Sequence, residues 1–231
     1  SIGLYRVCEI NGRLERREIA PVMDRLKGLY VTDLLKRDND IWISTNQGLY
    51  AYNMYDSSLR NYHHTADEHS LSHDYATALA TTSDGRLLVG TLRGLCAFND
   101  QTGTFRCWNS STAGAPMPSD FVHCLLTYGH QLWIGTETAG VVCLTHKPLL
   151  LRNYVNSPQR ASSLSPHPVN AMYVEQDGTL WVGTVEGGLN RKTPAGDFEH
   201  WTTRNSGLTH NSISVLEGEW KIGRASCRER V

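Results

Sequence analysis

The sequence predicts an all-β chain, a β-propeller fragment of four-stranded antiparallel blades, and three observations predict it. A motif returns four times, as IWISTNQGLYAY (41–52), LLVGTLRGLCAF (87–98), LWIGTETAGVVCL (132–144) and LWVGTVEGGLNR (180–191). Its aligned positions Trp42, Leu88, Trp133 and Trp181 are 46, 45 and 48 residues apart, a step that marks an array of supersecondary units. The segments between turn signals are five to six residues long and rich in β-branched and aromatic types, which is strand rather than helix length. Each repeat holds four such segments, the content of one propeller blade.

The first segment of each repeat is nearly continuous in apolar residues: VTDLL (31–35), ATALA (76–80), VHCLL (122–126) and VNAMY (169–173), with a fifth start, ISVL, at 213–216. Continuity instead of alternation fits an inner strand buried on both faces. Asp84-Gly85 and Asp177-Gly178 then supply pairs suited to tight hairpins. The second segment carries Gly90, Gly135 or Gly183, with Ser44 in the first copy, and predicts a place where backbones approach closely. A polar corner leads to the third segment, GLYAY or its equivalent. The fourth ends in Tyr62, Trp108, Tyr154 or Trp201, whose regular return reads as packing between neighbouring blades.

The opening IGLYRV (2–7) matches QGLYAY, so the chain is expected to hold the end of one repeat, four complete repeats and the start of a sixth. Four complete blades with partial blades at each end form an open arc, not a closed ring. Residues 1–220 read as this single domain. The segment 221–231 is set apart, because IGRASCRERV breaks the pattern where a second strand is due and resembles a translated sequencing adapter. Ser at position 1 completes the expectation of a piece of a longer protein.

The 231 residues carry 22 basic and 23 acidic side chains. No Lys/Arg stripe of the kind nucleic acid requires is present, and no apolar run approaches a membrane span. No membrane contact by this segment is expected. The cysteines lack CxxC spacing, which argues against zinc. Cys96 and Cys107 flank one hairpin and could face each other across it, but two free, small, half-buried thiols are the preferred reading. There is no GxSxG, no HExxH and no phosphate-cradling glycine loop. Nor can a convergent carboxylate pair for glycoside hydrolysis be argued from the chain. No catalytic residue, metal or cofactor is expected.

LWIGT…GL with a preceding Asp-Gly turn, together with SLSHD (70–74), SLSPHPV (163–169) and GLTHNSI (207–213), resembles two-component regulator propeller repeats. The resemblance covers residues 1–220. Ser44 for Gly, Leu88 for Trp and Tyr128-Gly129-His130 for the Asp-Gly turn depart from the pattern. It implies the periplasmic sensor region of a hybrid two-component histidine kinase of Bacteroidetes type, with seven-bladed propellers, a homodimeric parent and oligosaccharide ligands.

Two loop sets are expected on one face of such a layout, and variable residues on a rigid scaffold suit recognition. One set follows the second strand and gives Asn46, Gln47, Arg93, Glu137 and Glu186; the other precedes each inner strand and gives His73, Asp74, Tyr75, Asp120, Phe121, His210 and Asn211. Amide, carboxylate and guanidinium groups suit sugar hydroxyls, and Tyr75 and Phe121 suit ring C–H edges. His73, His167 and His210 are read as recurring at one repeat position, which argues for bonding to loop backbone. His123 shares its inner-strand position with Thr32, Thr77, Asn170 and Ser214. All five are expected to line the channel where water satisfies them, and His123 joins the candidate ligand contacts. His63-His64, Asp84 and Asp177 read as solvated loop or turn residues. A carbohydrate-active enzyme and a plain interaction scaffold remain the alternatives to a sensor.

Overall fold

The computed structural model describes residues 5–11, 13–18, 25–146, 149–218 and 225–226. A hairpin, β1 (Tyr5–Ile10) with β2 (Arg13–Glu18), precedes four sheets. They are β3 (Val31–Arg37), β4 (Asp40–Thr45), β5 (Gly48–Asn53) and β6 (Leu59–Tyr62); β7 (Ala76–Thr81), β8 (Leu87–Thr91), β9 (Gly94–Asn99) and β10 (Thr104–Trp108); β11 (Val122–Tyr128), β12 (Gln131–Thr136), β13 (Val141–His146) and β14 (Leu149–Tyr154); and β15 (Val169–Val174), β16 (Leu180–Thr184), β17 (Gly188–Lys192) and β18 (Phe198–Trp201). Each is a four-stranded antiparallel meander in chain order, with no crossover. Consecutive inner strands β3, β7, β11 and β15 pack beside one another, so the sheets fan as blades of a propeller fragment. Of the segment 221–231 only Ala225–Ser226 is described, paired with Glu217–Gly218; the rest lies outside the described residues.

The blades hold together through cores they share. Trp42, Leu49 and Ala51 of the first blade lie in one cluster with Ala76, Leu79, Leu87, Val89 and Phe98 of the second. Leu88, Leu95 and Ala97 of the second meet Val122, Leu132 and Ile134 of the third. Trp133, Val141 and Cys143 of the third meet Val169, Met172 and Val182 of the fourth. Alternation along each strand sends successive side chains to opposite seams. The fourth-strand aromatics do bridge blades: Tyr62 lies 5.2 Å from Phe98 and 5.6 Å from Phe105, and Tyr154 lies 5.9 Å from Phe198 (ring centroids).

The apolar residue of the S-L-S element closes each seam from the loop side. Leu71 and Leu164 are fully buried and Met117 is buried at the same repeat position. Leu26, 45 residues before Leu71, does the same for the first blade, packed with Leu29 against Ile43, Tyr50 and Tyr52.

Two recurring glycines have separate reasons. Gly48, Gly94, Gly140 and Gly188 open the third strands at φ of +107°, +107°, +65° and +80°. A Cβ there would meet the carbonyl oxygen that ends the fourth strand, at 2.0–2.8 Å, so only glycine fits. Gly90, Gly135 and Gly183 face the next inner strand, where a Cβ would come within 2.7 Å of Val122, 2.6 Å of Val169 and 2.6 Å of Ile213. Ser44 replaces the glycine where that neighbouring strand opens on Ala76, and Thr32 bonds both Ser44 Oγ and the Ala76 carbonyl. Small-on-large is thus conserved in volume across each seam, with Ser44–Ala76 as the inverted pair.

The reading of Cys96 and Cys107 as free thiols is overturned. They are direct partners in the β9–β10 register with Cα atoms 4.0 Å apart, and they form a disulfide. The equivalent cross-strand pairs are Tyr50–Asn61, Val142–Asn153 and Asn190–His200. In the last of these, Asn190 Oδ1 and His200 Nδ1 lie 2.8 Å apart, so one blade uses a covalent lock where another uses a hydrogen bond.

The volume match makes a testable statement. Gly90→Ser alone should destabilise the chain by about 1–3 kcal/mol through overpacking against Val122. Val122→Ala in the same chain should recover at least about 1 kcal/mol of that loss, because it recreates the Ser44–Ala76 pair. Urea denaturation of the two single variants and the double variant measures the coupling; additivity would contradict the match.

Candidate functional site

The two loop sets do share one face, and backbone bonds join them. Asn46 N donates to Tyr30 O, Leu92 N to Tyr75 O, Glu137 N to Phe121 O and Val185 N to Pro168 O, at 3.0–3.3 Å. A buried threonine fixes each corner before the loop leaves the second strand. Thr45, Thr91, Thr136 and Thr184 are fully buried and donate to the carbonyl of Gly48, Gly94, Gly140 and Gly188 at 2.8–3.0 Å. These four hydroxyls hold the loop face in place.

Several candidate residues have structural work on this face. Asp74 Oδ1 accepts from His64 N at 2.7 Å, Asp120 Oδ1 from Ser110 N at 2.6 Å, and Asn211 Oδ1 from Thr203 N at 2.8 Å. The carbonyls of the same three residues accept from Gly48, Gly94 and Gly188 N at 2.6–2.7 Å. Each clamps the linker between two blades. His73 Nδ1 accepts from Tyr75 N, and His210 Nδ1 from Ser212 N, both at 2.9 Å, the loop-backbone job expected for recurring histidines. His167 does not belong with them. Aligned on Leu71, Leu164 and Leu208, His167 falls at the Asp74 position and Pro166 at the His73 position. Asn46 Oδ1 accepts from Tyr30 N at 2.9 Å. Gln47, Arg93 and Glu186 are exposed.

The expectation of water-satisfied polar groups on the inner strands is also corrected. Thr32, Thr77, His123 and Asn170 are each the extra residue of a β-bulge near the start of the strand. The bulge turns three of them onto the next blade's backbone: Thr32 Oγ1 donates to Ala76 O at 2.7 Å, Thr77 Oγ1 to Val122 O at 2.6 Å and Asn170 Nδ2 to Ile213 O at 3.3 Å. His123 departs from this scheme. Its Nε2 hydrogen-bonds Glu137 Oε2 within its own blade, with the two side chains 28% and 36% exposed. The structure therefore brings together His123 and Glu137 of the candidate set, a polar pair open to solvent that no seam consumes.

An aromatic arc completes the face. Tyr30, Tyr75 and Phe121 occupy the residue before the inner strand in three successive blades, spaced by 45 and 46 residues. Tyr30 is 59% and Phe121 46% exposed, and Tyr75 is partly buried. Tyr30 escaped the motif reading because the first repeat lacks an S-L-S-H-D segment ahead of it; its register with Tyr75 was the available signal. A cleft of about 510 Å³ lies at the other end of the strands, among Arg37, Asp84, Arg86, Asp100, Arg106 and Trp108. Arg37 and Asp100 form a two-pronged pair there at 2.6 and 2.8 Å, and the Arg37 guanidinium holds the Asp100 carboxyl below its ordinary range. Among the described residues no group of three His, Cys, Asp or Glu side chains is placed to hold a metal ion, and no helix is long and apolar enough to cross a membrane.

Residues 163–186, from the S-L-S element through the second-strand motif, match the profile of the two component regulator propeller family. No curated protein matches the chain. Among solved structures it is similar to the extracellular domain of a putative one component system from B. thetaiotaomicron, at 20% identity and a TM-score of 0.70, covering 90% of this chain and 26% of that one. The extracellular domain of a putative hybrid two component system from the same organism aligns at 18% identity and a TM-score of 0.54, covering 90% and 34%. A catalytically inactive virginiamycin B lyase from Staphylococcus aureus, solved with quinupristin, aligns at 13% identity and a TM-score of 0.62, covering 92% and 66%. All three share the propeller fold, and the chain spans about a quarter of the length of the first.

The clamp residues give a direct test of their structural work. Asp74→Ala should cost about 0.5–1.5 kcal/mol, the net worth of the exposed hydrogen bond it accepts from His64 N–H. Asp74→Asn should be nearly neutral, since Asn211 does the same work with an amide. Thermal melts of the two variants check this, and equal losses would contradict it.

Proposed function

We propose that this chain is the ligand-sensing, extracytoplasmic propeller of a bacterial two-component regulator, and that its loop face recognises oligosaccharide. The observation that carries the reading is the aromatic arc of Tyr30, Tyr75 and Phe121 beside the open His123–Glu137 pair. Exposed rings offer flat faces for sugar C–H edges, and a carboxylate with an imidazole supplies acceptor and donor for hydroxyls. Asn46, Gln47, Arg93 and Glu186 add variable polar groups at equivalent loop positions, while Asp74, Asp120, His73, His210 and Asn211 hold the face in shape. The match to regulator repeats supports the sensor class. The Cys96–Cys107 disulfide supports an oxidising, extracytoplasmic compartment. Occupancy would act on a kinase in the rest of the parent, a homodimer in this reading, by binding two arrangements of the sensor unequally.

A second reading rests on the same pair. His123 bonded to a half-exposed Glu137 has the geometry of an acid–base dyad, and would make the parent a carbohydrate-active enzyme. Release of shortened or unsaturated products from a polysaccharide by the chain, abolished by His123→Ala, would favour it.

Calorimetry with a panel of neutral and uronate-bearing oligosaccharides tests the sensor reading. At least one should bind, and Phe121→Ala or Glu137→Gln should weaken it about tenfold or more, some 1.4 kcal/mol, without shifting the urea midpoint. No heat from any member of the panel would overturn it.

A further inference from the structure

Three polar bonds recur on the loop face at three of the four junctions along the chain. One runs from the bulge side chain to the next inner strand. A second joins the glycine that opens the third strand to the linker carbonyl. The third is accepted by the Asp or Asn side chain of that linker. All three are made between the first and second blades, through Thr32, Gly48 and Asp74. All three are made between the second and third, through Thr77, Gly94 and Asp120. They are made again where the fourth blade meets the segment at Ile213, which the sequence reads as a further inner strand but which is not a strand here, through Asn170, Gly188 and Asn211.

Between the third and fourth blades none of the three is made among the described residues. His123 turns to Glu137 instead of the Val169 carbonyl. That carbonyl is left with the Cys124 thiol at 3.8 Å, a weak donor. No bond joins Gly140 to the 166–168 loop, and His167 stands where the clamping Asp or Asn would be. The core of this same seam holds the buried Trp133 Nε1, which has no hydrogen-bond partner. The equivalent Trp181 Nε1 donates to Glu175 at 2.9 Å. Two free thiols, Cys124 and Cys143, also sit in that core, and burial pushes the Cys124 thiol up to about 12. One polar bond across this seam is kept at the opposite end of the strands, from Tyr128 Oη to Gln176 O at 2.8 Å.

The three recurring ties are missing at one end, where the linker keeps Asn156 Nδ2 on the Leu164 carbonyl at 2.8 Å, and a tie is retained at the other; this describes a hinge. We propose that the seam between the third and fourth blades is the yielding junction of the array, opening at the loop face and pivoting about the Tyr128–Gln176 bond. The proposal rests on the recognition reading only for its use: a hydroxyl-rich ligand reaching from Glu137 to the 166–168 loop supplies the ties the chain omits, so occupancy closes the seam. The position of His123 links the two roles, because the side chain that faces ligand is the one withdrawn from the seam. Local opening of this kind is set by how many bonds a segment must break.

Hydrogen exchange of the full chain, read by mass spectrometry, tests this without ligand. Amides at 140–143 and 169–172 should exchange at least about tenfold faster than those at 48–51 and 76–79, or at 94–97 and 122–125. Alkylation of Cys124 and Cys143 should proceed through the same opening. His123→Thr, which restores the recurring side chain, should slow both. Thr77→Val should speed exchange at 94–97 and 122–125, giving a second readout if His123→Thr fails to fold. Equal exchange at the three seams, or no response to either variant, overturns the hinge whatever the chain binds. A labile seam in a chain that binds no oligosaccharide upholds the hinge and removes the recognition reading.

Discussion

Most of the buried apolar side chains in this array lie where one sheet faces the next, and the outer face of the first sheet is covered by Leu26 and Leu29. Trp42 meets Phe98 with ring centroids 4.9 Å apart across the first seam, and Trp133 packs with Met172 and Phe198 across the third. A four-stranded sheet alone would leave both faces in water, and burial of apolar area is the main favourable term in folding. Each blade is therefore stable only as a neighbour. The fit must be made at every seam, which explains why volume is matched residue by residue from Ser44–Ala76 to Gly183–Ile213. The closeness of that fit also leaves the loop face free of packing duty, so its side chains can differ from blade to blade.

The same constraint separates framework from recognition. Buried threonines and left-handed glycines recur because every blade needs the same corner. Asp74, Asp120 and Asn211 recur in function because every linker needs a clamp. What does not recur is then informative. Tyr30, Tyr75 and Phe121 give way to Pro168 and Ser212, and the bulge threonine gives way to His123. These departures gather around the third blade, where the polar ties to the fourth are also missing. The His123–Glu137 pair therefore lies beside the junction that lacks the three recurring ties.

Much of this was legible in the sequence, and the reasons are physical. The repeat phase, the four strands per unit and the bridging role of Tyr62 and Tyr154 follow from apolar spacing, because packing between equal units demands equal side chains. The glycines signalled close approach, though not which residue approaches, since the partner lies in the next repeat. Bonds to backbone were hidden: the acceptors of Thr32, Thr77 and Asn170 are carbonyls, which carry no letter in a sequence. The Cys96–Cys107 bond was hidden because the equivalent pairs, from Tyr50–Asn61 to Asn190–His200, share no chemistry. The register of His167 is hidden because His73, His167 and His210 look alike until Leu71, Leu164 and Leu208 are superposed.

The measurement that bears most directly on shared cores is residue-level amide exchange after Trp42→Ala, a substitution that removes a side chain of the first blade and costs about 3–5 kcal/mol. If cores belong to pairs of blades, protection should fall in β7–β9 of the second blade as much as in β4 and β5 of the first, with the fourth blade little changed. Loss confined to β3–β6 would mean that each sheet carries its own stability, and would contradict the account.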